Sequence, residues 1–467
     1  MSGAAGADLR AADQPPEGAP GKGGPRPARA FRIKSLDLEG RGVAHEGGKV
    51  IFVEGALTGE LVEVQSLRNR RSHEETRVSR VLEPSSSRIE PRCEAYGVCG
   101  GCSMQHVDAS TQVAAKQRVL EDALWHVGRV RPEHVMAPLR GPQWDYRHRA
   151  RLSARFVRKK GGALVGFREK RSSYVTDMRT CEVLPDRVAA LIVPLRELID
   201  GLEMAERLPQ IEVSVGDRVT VLVFRVLESP SDKDLASMCS FADAQGIQIW
   251  LQSKGPDTAK PFWPMEAPAL DYTLPEFDLQ IAFQPTDFTQ VNHAMNRMLV
   301  QRAITLLDPR PGDEVADFFC GLGNFTLPIA RRGARVTGVE GNESLIRRAR
   351  ENAAANGLSD LARFEVGNLF ETSTCSRLAV PAKVLLDPPR DGAMELIRTF
   401  AGREPRRIVY VACDPGTLAR DAGFLTTQLG YTLKAAGIAN MFPQTSHVES
   451  IALFERDGPP GPALPPA

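Results

Sequence analysis

Residues 313–327 read DEVADFFCGLGNFTL, and the order of residue types here decides the fold of the C-terminal half. Apolar residues run almost unbroken from Val315 to Phe319, as in a strand buried on both faces. The run stops at a turn holding Gly321 and Gly323, and apolar residues resume at Phe325. A strand that ends in a glycine-rich turn and re-enters as a helix opens an α/β unit. The alternation continues outward through ARVTGVEG (334–341), NESLIRRARENAAANG (342–357), ARFEVGN (362–368), KVLLDPPR (383–390), RRIVYVACDP (406–415), TLARDAGFLTTQLG (417–430), YTLKAAGIA (431–439) and VESIALFE (448–455). The expectation is a doubly wound α/β sheet with antiparallel strands at its end.

A ligand of such a sheet sits outside the carboxyl ends of the strands. The turn Phe319-Cys320-Gly321-Leu322-Gly323-Asn324 lies there, and Glu340 ends the next strand, where an acid can accept both hydroxyls of a ribose. The glycine spacing is G-x-G-N, not the G-x-G-x-x-G that cradles a pyrophosphate, so S-adenosylmethionine fits better than a dinucleotide. Leu386-Asp387-Pro388-Pro389-Arg390 follows the fourth strand, and its two prolines stiffen a loop that must hold a flat base or a reacting atom. Amino-group methyltransferases place an aromatic residue where Arg390 stands. Cys413 ends the next strand on the same edge as Asp387. Uracil C5 is a poor nucleophile; a thiolate adding at C6 makes C5 enolate-like and able to take a methyl group from a sulfonium. A base must then remove the C5 proton, and Glu449 in MFPQTSHVES (441–450), with His447 beside it, is the candidate.

The chain has 467 residues, enough for two or three domains. With 59 Lys and Arg against 58 Asp and Glu, a formal charge of +1, the total balance names no polyanion partner, so such an argument must rest on local clustering. No apolar run is long enough to span a bilayer and no signal peptide is legible, which predicts a cytoplasmic protein without a membrane partner. Met1 to about Ala30 and the final stretch from 457 read as disordered tails, rich in Gly, Ala and Pro. Residues 31–87 carry short alternating runs between turns, the pattern of an OB-like β-barrel, a module that either contacts RNA or merely packs. Residues 88–280 mix a cysteine cluster, a helical stretch from Thr111 to about Val127 and strand-like runs, and read as an α+β domain. Residues 281–456 form the α/β domain.

Eight cysteines in a reducing compartment read as ligands, nucleophiles or core residues. Cys93, Cys99 and Cys102, with Cys181 far downstream, have a spacing suited to a [4Fe-4S] cluster or to zinc, and four thiolates favour a closed, structural site. Cys239, Cys320 and Cys375 read as core or incidental. From Trp144 to Arg179 eleven Lys and Arg face three acids, an excess of eight positive charges interleaved with Trp144, Tyr146, Phe156, Phe167 and Tyr174. This stretch suits phosphate neutralisation and base stacking; the alternative is a solvated hairpin face whose aromatics point inward.

The motifs CEAYGVCGGC (93–102), GFREKRSSYVTDMRTC (166–181), DFTQVN (287–292), DFFCGLGNFTLP (317–328), LLDPPR (385–390), VYVACDPGTLARD (409–421) and MFPQTSHVES (441–450) together resemble the RNA m5U methyltransferase family. The branch they resemble acts on bacterial 23S rRNA and carries an N-terminal TRAM (OB-like) domain and a [4Fe-4S] cluster. The resemblance implies cluster ligands at Cys93, Cys99, Cys102 and Cys181, S-adenosylmethionine contacts at Gln290, Phe319, Asn324, Glu340, Asn368 and Asp387, the nucleophile at Cys413 and the base at Glu449. It implies 23S rRNA as partner and no obligate protein partner. Three positions depart from the family: Ala412 stands where Ser is usual, Asp414 where Asn is usual, and Asn440 where Asp is usual. A carboxylate aimed at Cys413 would raise its pKa, so Asp414 is expected to turn away and cap the following helix near Thr417. The competing readings are an RNA-binding or assembly factor with an idle methyltransferase domain, the same chemistry on tRNA, and an amino-group methyltransferase.

Overall fold

The computed structural model describes residues 29–266 and 268–456. The tails expected to be disordered lie outside the described residues, except that a strand already begins at Arg29.

The C-terminal sheet is built from β1 (Glu314–Phe318), β2 (Arg335–Glu340), β3 (Ala362–Val366), β4 (Lys383–Leu386), β5 (Arg407–Ala412), β6 (Thr432–Ala439) and β7 (Glu449–Glu455), in the spatial order β3-β2-β1-β4-β5-β7-β6. The first five are parallel; β7 runs antiparallel between β5 and β6. Both faces are covered, which is why the strands are nearly all apolar. Leu385, Val409 and Val411 enter one core with the helix His293–Leu307, while Val384, Leu386, Ile408 and Tyr410 enter the other with the helices Ala109–Ala123 and Pro415–Thr427.

The helix Ala109–Ala123 and the strand His134–Val135 were expected in the central unit. They pack instead on this sheet, the strand pairing in parallel with β6. The helix continues into one π turn, Leu124–Gly128, that lies against the helix Pro415–Thr427. The two backbones touch: a Cβ on Gly128 would come within 2.4 Å of the Ala419 carbonyl. The sequence marked this stretch as helical but could not name the surface it packs on.

A central six-stranded sheet runs in the order Lys260–Trp263, Gln248–Gln252, Thr220–Arg225, Gln210–Val215, Arg149–Val157, Gly162–Gly166. The N-terminal six-stranded sheet occupies Arg29 to Glu83. Its first strand bends at Ile33 and Lys34, whose amides bond to the carbonyls of Glu60 and Val43, so the two halves of the bent strand bridge the sheet's two edges. Buried Glu60 takes the Arg88 guanidinium at 2.6 Å and ties this sheet to the segment that follows. Among the described residues no helix is long and apolar enough to cross a membrane.

Candidate active site

Strand register assembles the site. Phe318 at the end of β1 pairs with Val339 of β2 and Leu386 of β4, and Leu386 pairs with Tyr410 of β5. Phe319, Glu340 and Asp387 therefore leave the sheet at one edge. Antiparallel β7 brings its first residue to that edge, because Ala412 pairs with Ser450, which sets Cys413 beside Glu449. These groups line one cavity of about 680 Å³ together with Gln290, Gly321, Asn324 and Asn368. Gly323, also expected in the cofactor site, does not line it; its φ of +91° lets the turn pass Leu327 and Phe364, so its contribution is conformational.

Each cofactor-side group is held by the fold. Phe319 takes a left-handed φ of +67°, and its amide and that of Cys320 bond to the Val339 carbonyl. The Glu340 carboxylate accepts from the amides of Asn342 at 3.0 Å and Gly321 at 3.4 Å. Asn324 exchanges amide hydrogen bonds with Asn296 at 2.8 and 3.0 Å, and its oxygen also accepts from Tyr272. Its side chain is thus committed to protein partners and fixes the loop. Asp287 opens the DFTQVN loop and is anchored by Arg348 at 2.6 Å; Phe288, 69% exposed, stands at the cavity mouth.

The reacting side is rich in acids. Burial first, then the neighbouring Asp317, pushes Asp387 up to about 8; Asp317, inside β1 and bonded by the Thr326 hydroxyl, is itself pushed up to about 7 by burial. Glu449 is raised well above the usual carboxylate range by burial and by Asp387. Cys413 is pushed up to about 11 by burial, Glu449 and Asp387, against which Arg390 pulls down. Asp414 turns away as expected: its Oδ1 accepts from the Thr417 amide at 2.9 Å and caps the helix Pro415–Thr427. Burial, together with the positive charges of Arg390, Lys116 and Arg147, lowers the His447 pKa and keeps the ring neutral near pH 7.

Sequence reasoning missed what holds the segment Asn440–Glu449 in place. Lys116 Nζ donates to Asn440 Oδ1 at 2.7 Å and to the Phe442 carbonyl at 2.8 Å. The Gln444 amide donates to Gln112 Oε1 at 3.0 Å, while Gln112 Nε2 donates to Gln444 Oε1 at 2.9 Å. The Gln444 carbonyl accepts from the amides of Ser103 and Met104, and the Tyr146 hydroxyl donates to the Pro443 carbonyl. Asn440 was visible as a departure from the family pattern, but its lysine partner lies too far away in sequence to be read.

Cys93, Cys99, Cys102 and Cys181 line one small cavity with Tyr96, Phe167 and Met178, and the Gly101 amide points at Cys99 Sγ at 3.3 Å. Among the described residues no group of three or more His, Cys, Asp or Glu side chains is placed to hold a metal ion. Of the other cysteines, Cys375 is buried and Cys239 half-buried, whereas Cys320 is buried beneath the cofactor turn and touches the main cavity.

The basic stretch divides. Tyr146 is fully buried, Phe156, Phe167 and Trp144 pack on the central core, and Tyr174 is 66% exposed. Arg158 and Lys160 pair with Glu206 and Asp177, and Arg171 reaches Glu54 of the N-terminal sheet. The stacking expectation therefore fails for most of these aromatics, whose side chains pack on the central core instead. What remains is a groove lined by Arg155, Arg158 and Arg168 with Ser153 and Ser173.

A family model described as tRNA (Uracil-5-)-methyltransferase matches residues 111–457. The chain is 57% identical over 428 residues to the 23S rRNA (uracil(1939)-C(5))-methyltransferase RlmD of Aromatoleum aromaticum, covering 91% of this chain and 99% of that protein. To the enzyme of the same name from Thiobacillus denitrificans it is 59% identical over 428 residues, with the same coverage of both chains. Among solved structures, the Pyrococcus abyssi tRNA (uracil-54, C5)-methyltransferase in complex with S-adenosyl-L-homocysteine shares the fold, with a TM-score of 0.70 at 24% identity over 91% of this chain and 99% of that one.

Proposed function

This chain belongs to the (uracil-5-)-methyltransferase family, and from that premise we infer that it methylates C5 of a uracil in 23S rRNA, with S-adenosylmethionine as the methyl donor. The observation that carries the chemistry is the pairing of a thiol with a buried carboxylate, Cys413 with Glu449, at the rim of a cavity whose other wall suits the donor.

We propose a covalent route. The Cys413 thiolate adds to C6 and the C5–C6 π electrons move toward the C4 carbonyl. C5 then attacks the sulfonium methyl, and S-adenosylhomocysteine leaves with the C–S bonding pair. Glu449 takes the C5 proton; the freed pair restores the double bond and expels the thiolate. Glu340 would bind the ribose of the donor, Phe319, Gln290 and Asn368 would border its base and chain, and Asp387 would face its positive end. A sulfonium close to Asp387 and Cys413 favours the ionised form of both. Reaching the cavity requires the uracil to leave its stack, and the groove of Arg155, Arg158 and Arg168 supplies charge for the flanking phosphates.

Three observations support a [4Fe-4S] cluster at these thiols: all four are cysteine, they line one small cavity, and the Gly101 amide points at Cys99 Sγ. Cys93, Cys99, Cys102 and Cys181 would hold it, and it would supply cross-linking of the segment before Ser103 to the central sheet. The N-terminal sheet, with its bent first strand, supports the reading of residues 31–87 as a TRAM-type barrel. The work is done in the cytoplasm, where the RNA is.

The test is mass spectrometry of 23S rRNA fragments incubated with the protein and S-adenosylmethionine, with release of tritium from uracil C5 followed in parallel. Wild type adds one methyl group to one uridine and releases tritium; Cys413→Ala does neither and still binds RNA. Turnover by Cys413→Ala overturns the covalent route, and no methylation of 23S rRNA by wild type overturns the substrate. The idle-domain reading expects silence from both proteins.

A further inference from the structure

We propose that Lys116, with Gln112 one helical turn before it, positions the base for proton abstraction: the two side chains clip the segment Asn440–Glu449 onto the helix Ala109–Ala123, so that Glu449 is aimed at C5. The inference rests on Glu449 being that base.

Residues four apart on a helix share a face, and here both are polar on a buried face. Lys116 is 1% and Gln112 1% exposed. Apolar residues would satisfy the packing there, and an amine buried without an acid is costly; burial alone pulls Lys116 down to about 7. What the amine does at that position is bind Asn440 Oδ1 and the Phe442 carbonyl. Gln112 grips Gln444 through both its amide atoms, and Gln444 is a non-glycine residue at φ +65°, a conformation that persists only where its surroundings hold it.

Neither clip residue lines the main cavity, but the segment they hold brings Phe442, His447 and Glu449 to it. Four residues separate Gln444 from Glu449, where β7 begins. Lys116 and Gln112 are therefore positioning residues, acting through the segment. A displacement of about 1 Å at a reacting group costs roughly a hundredfold in rate, and the step that suffers is the one that needs Glu449.

This predicts a signature that a general loss of structure does not give. With rRNA fragment and S-adenosylmethionine in single turnover, Lys116→Met forms the methylated Cys413 adduct at close to the wild-type rate. It resolves the adduct roughly a hundredfold more slowly, so the covalent species accumulates on a denaturing gel while tritium release lags and KM for RNA is little changed. Gln112→Met, which leaves the lysine in place, carries the same expectation should Lys116→Met not fold. Glu449→Gln is run beside them. If Glu449→Gln resolves its adduct at the wild-type rate, the base assignment is wrong. If Glu449→Gln stalls while the clip variants resolve normally, or if they lose adduct formation and resolution in equal measure, the positioning role is overturned.

Discussion

Burial lifts the thiols in two places, to about 11 at Cys413 and to about 11 and 12 at Cys102 and Cys181. The surroundings differ. Cys413 stands between acids that push it up, Glu449 and Asp387, and a cation that pulls it down, Arg390; it borders a cavity with room for a base and a nucleoside-sized donor. Cys102 and Cys181 are pushed up further by other thiols of their own set and border a narrow space walled by Tyr96, Phe167 and Met178. Equal acidity therefore says little about what a cysteine does. On the reading proposed above, the room beside it and the groups across from it suit Cys413 to a transient bond and Cys93, Cys99, Cys102 and Cys181 to a permanent one.

Serine in place of each kind of thiol tests that division most severely. Cys413→Ser should lose turnover by on the order of 10⁴-fold or more and leave the thermal midpoint within about 2 °C of wild type. Cys181→Ser should lose bound iron and unfold several degrees lower. Loss of stability in the first, or full iron and stability in the second, removes the distinction.

A smaller effect separates the steps inside the catalytic cavity. Glu449→Gln should slow product release by roughly 10²–10⁴-fold and trap the adduct. Because the folded-state pKa of Glu449 is raised, the wild-type release rate should climb with pH as the carboxylate ionises, and fall as pH drops through that pKa; the Gln variant should lack this limb. A wild-type rate flat with pH argues against a buried carboxylate as the base.

The smallest effect concerns stability alone. Asp387 is raised from 3.8 to about 8, so its contribution to stability is fully present below pH 3.8 and is lost as pH rises through about 8. Asp387→Asn should therefore be more stable than wild type near pH ~9, by roughly 2 kcal/mol in chemical denaturation, and no more stable near pH ~4, while binding S-adenosylmethionine more weakly. The two regions then respond in opposite senses at high pH: neutralising Asp387 stabilises the protein, whereas replacing the Cys181 thiol destabilises it. Equal stability at both pH values would mean that Asp387 carries no strain.

The strand-end placement was legible because each parallel strand announces itself by an apolar run and the candidate residue follows immediately: Phe319 after β1, Asp387 after β4, Cys413 after β5. The Asp414 cap was legible too, since its partner Thr417 is local. Partners across the fold were not. The sequence marks residues 111–127 as helical, but not that the helix Ala109–Ala123 packs on the C-terminal sheet beside the helix Pro415–Thr427, and nothing local distinguishes the lysine at 116 from an exposed one. The aromatics of the basic stretch misled for the same reason: composition counts Tyr146 and Phe156 with Tyr174, and only packing against distant elements separates those that fill the core from the one that faces solvent.

The clip contacts join positions 324 and 332 residues apart. Protein synthesis makes the helix first and the segment it must grip near the end, so an emerging chain can complete its N-terminal and central sheets long before Gln112 and Lys116 meet Gln444, Asn440 and Phe442. Contacts of such separation form late and slowly. On the reading proposed above, a newly made molecule would thus complete its basic groove before the clip that seats Glu449.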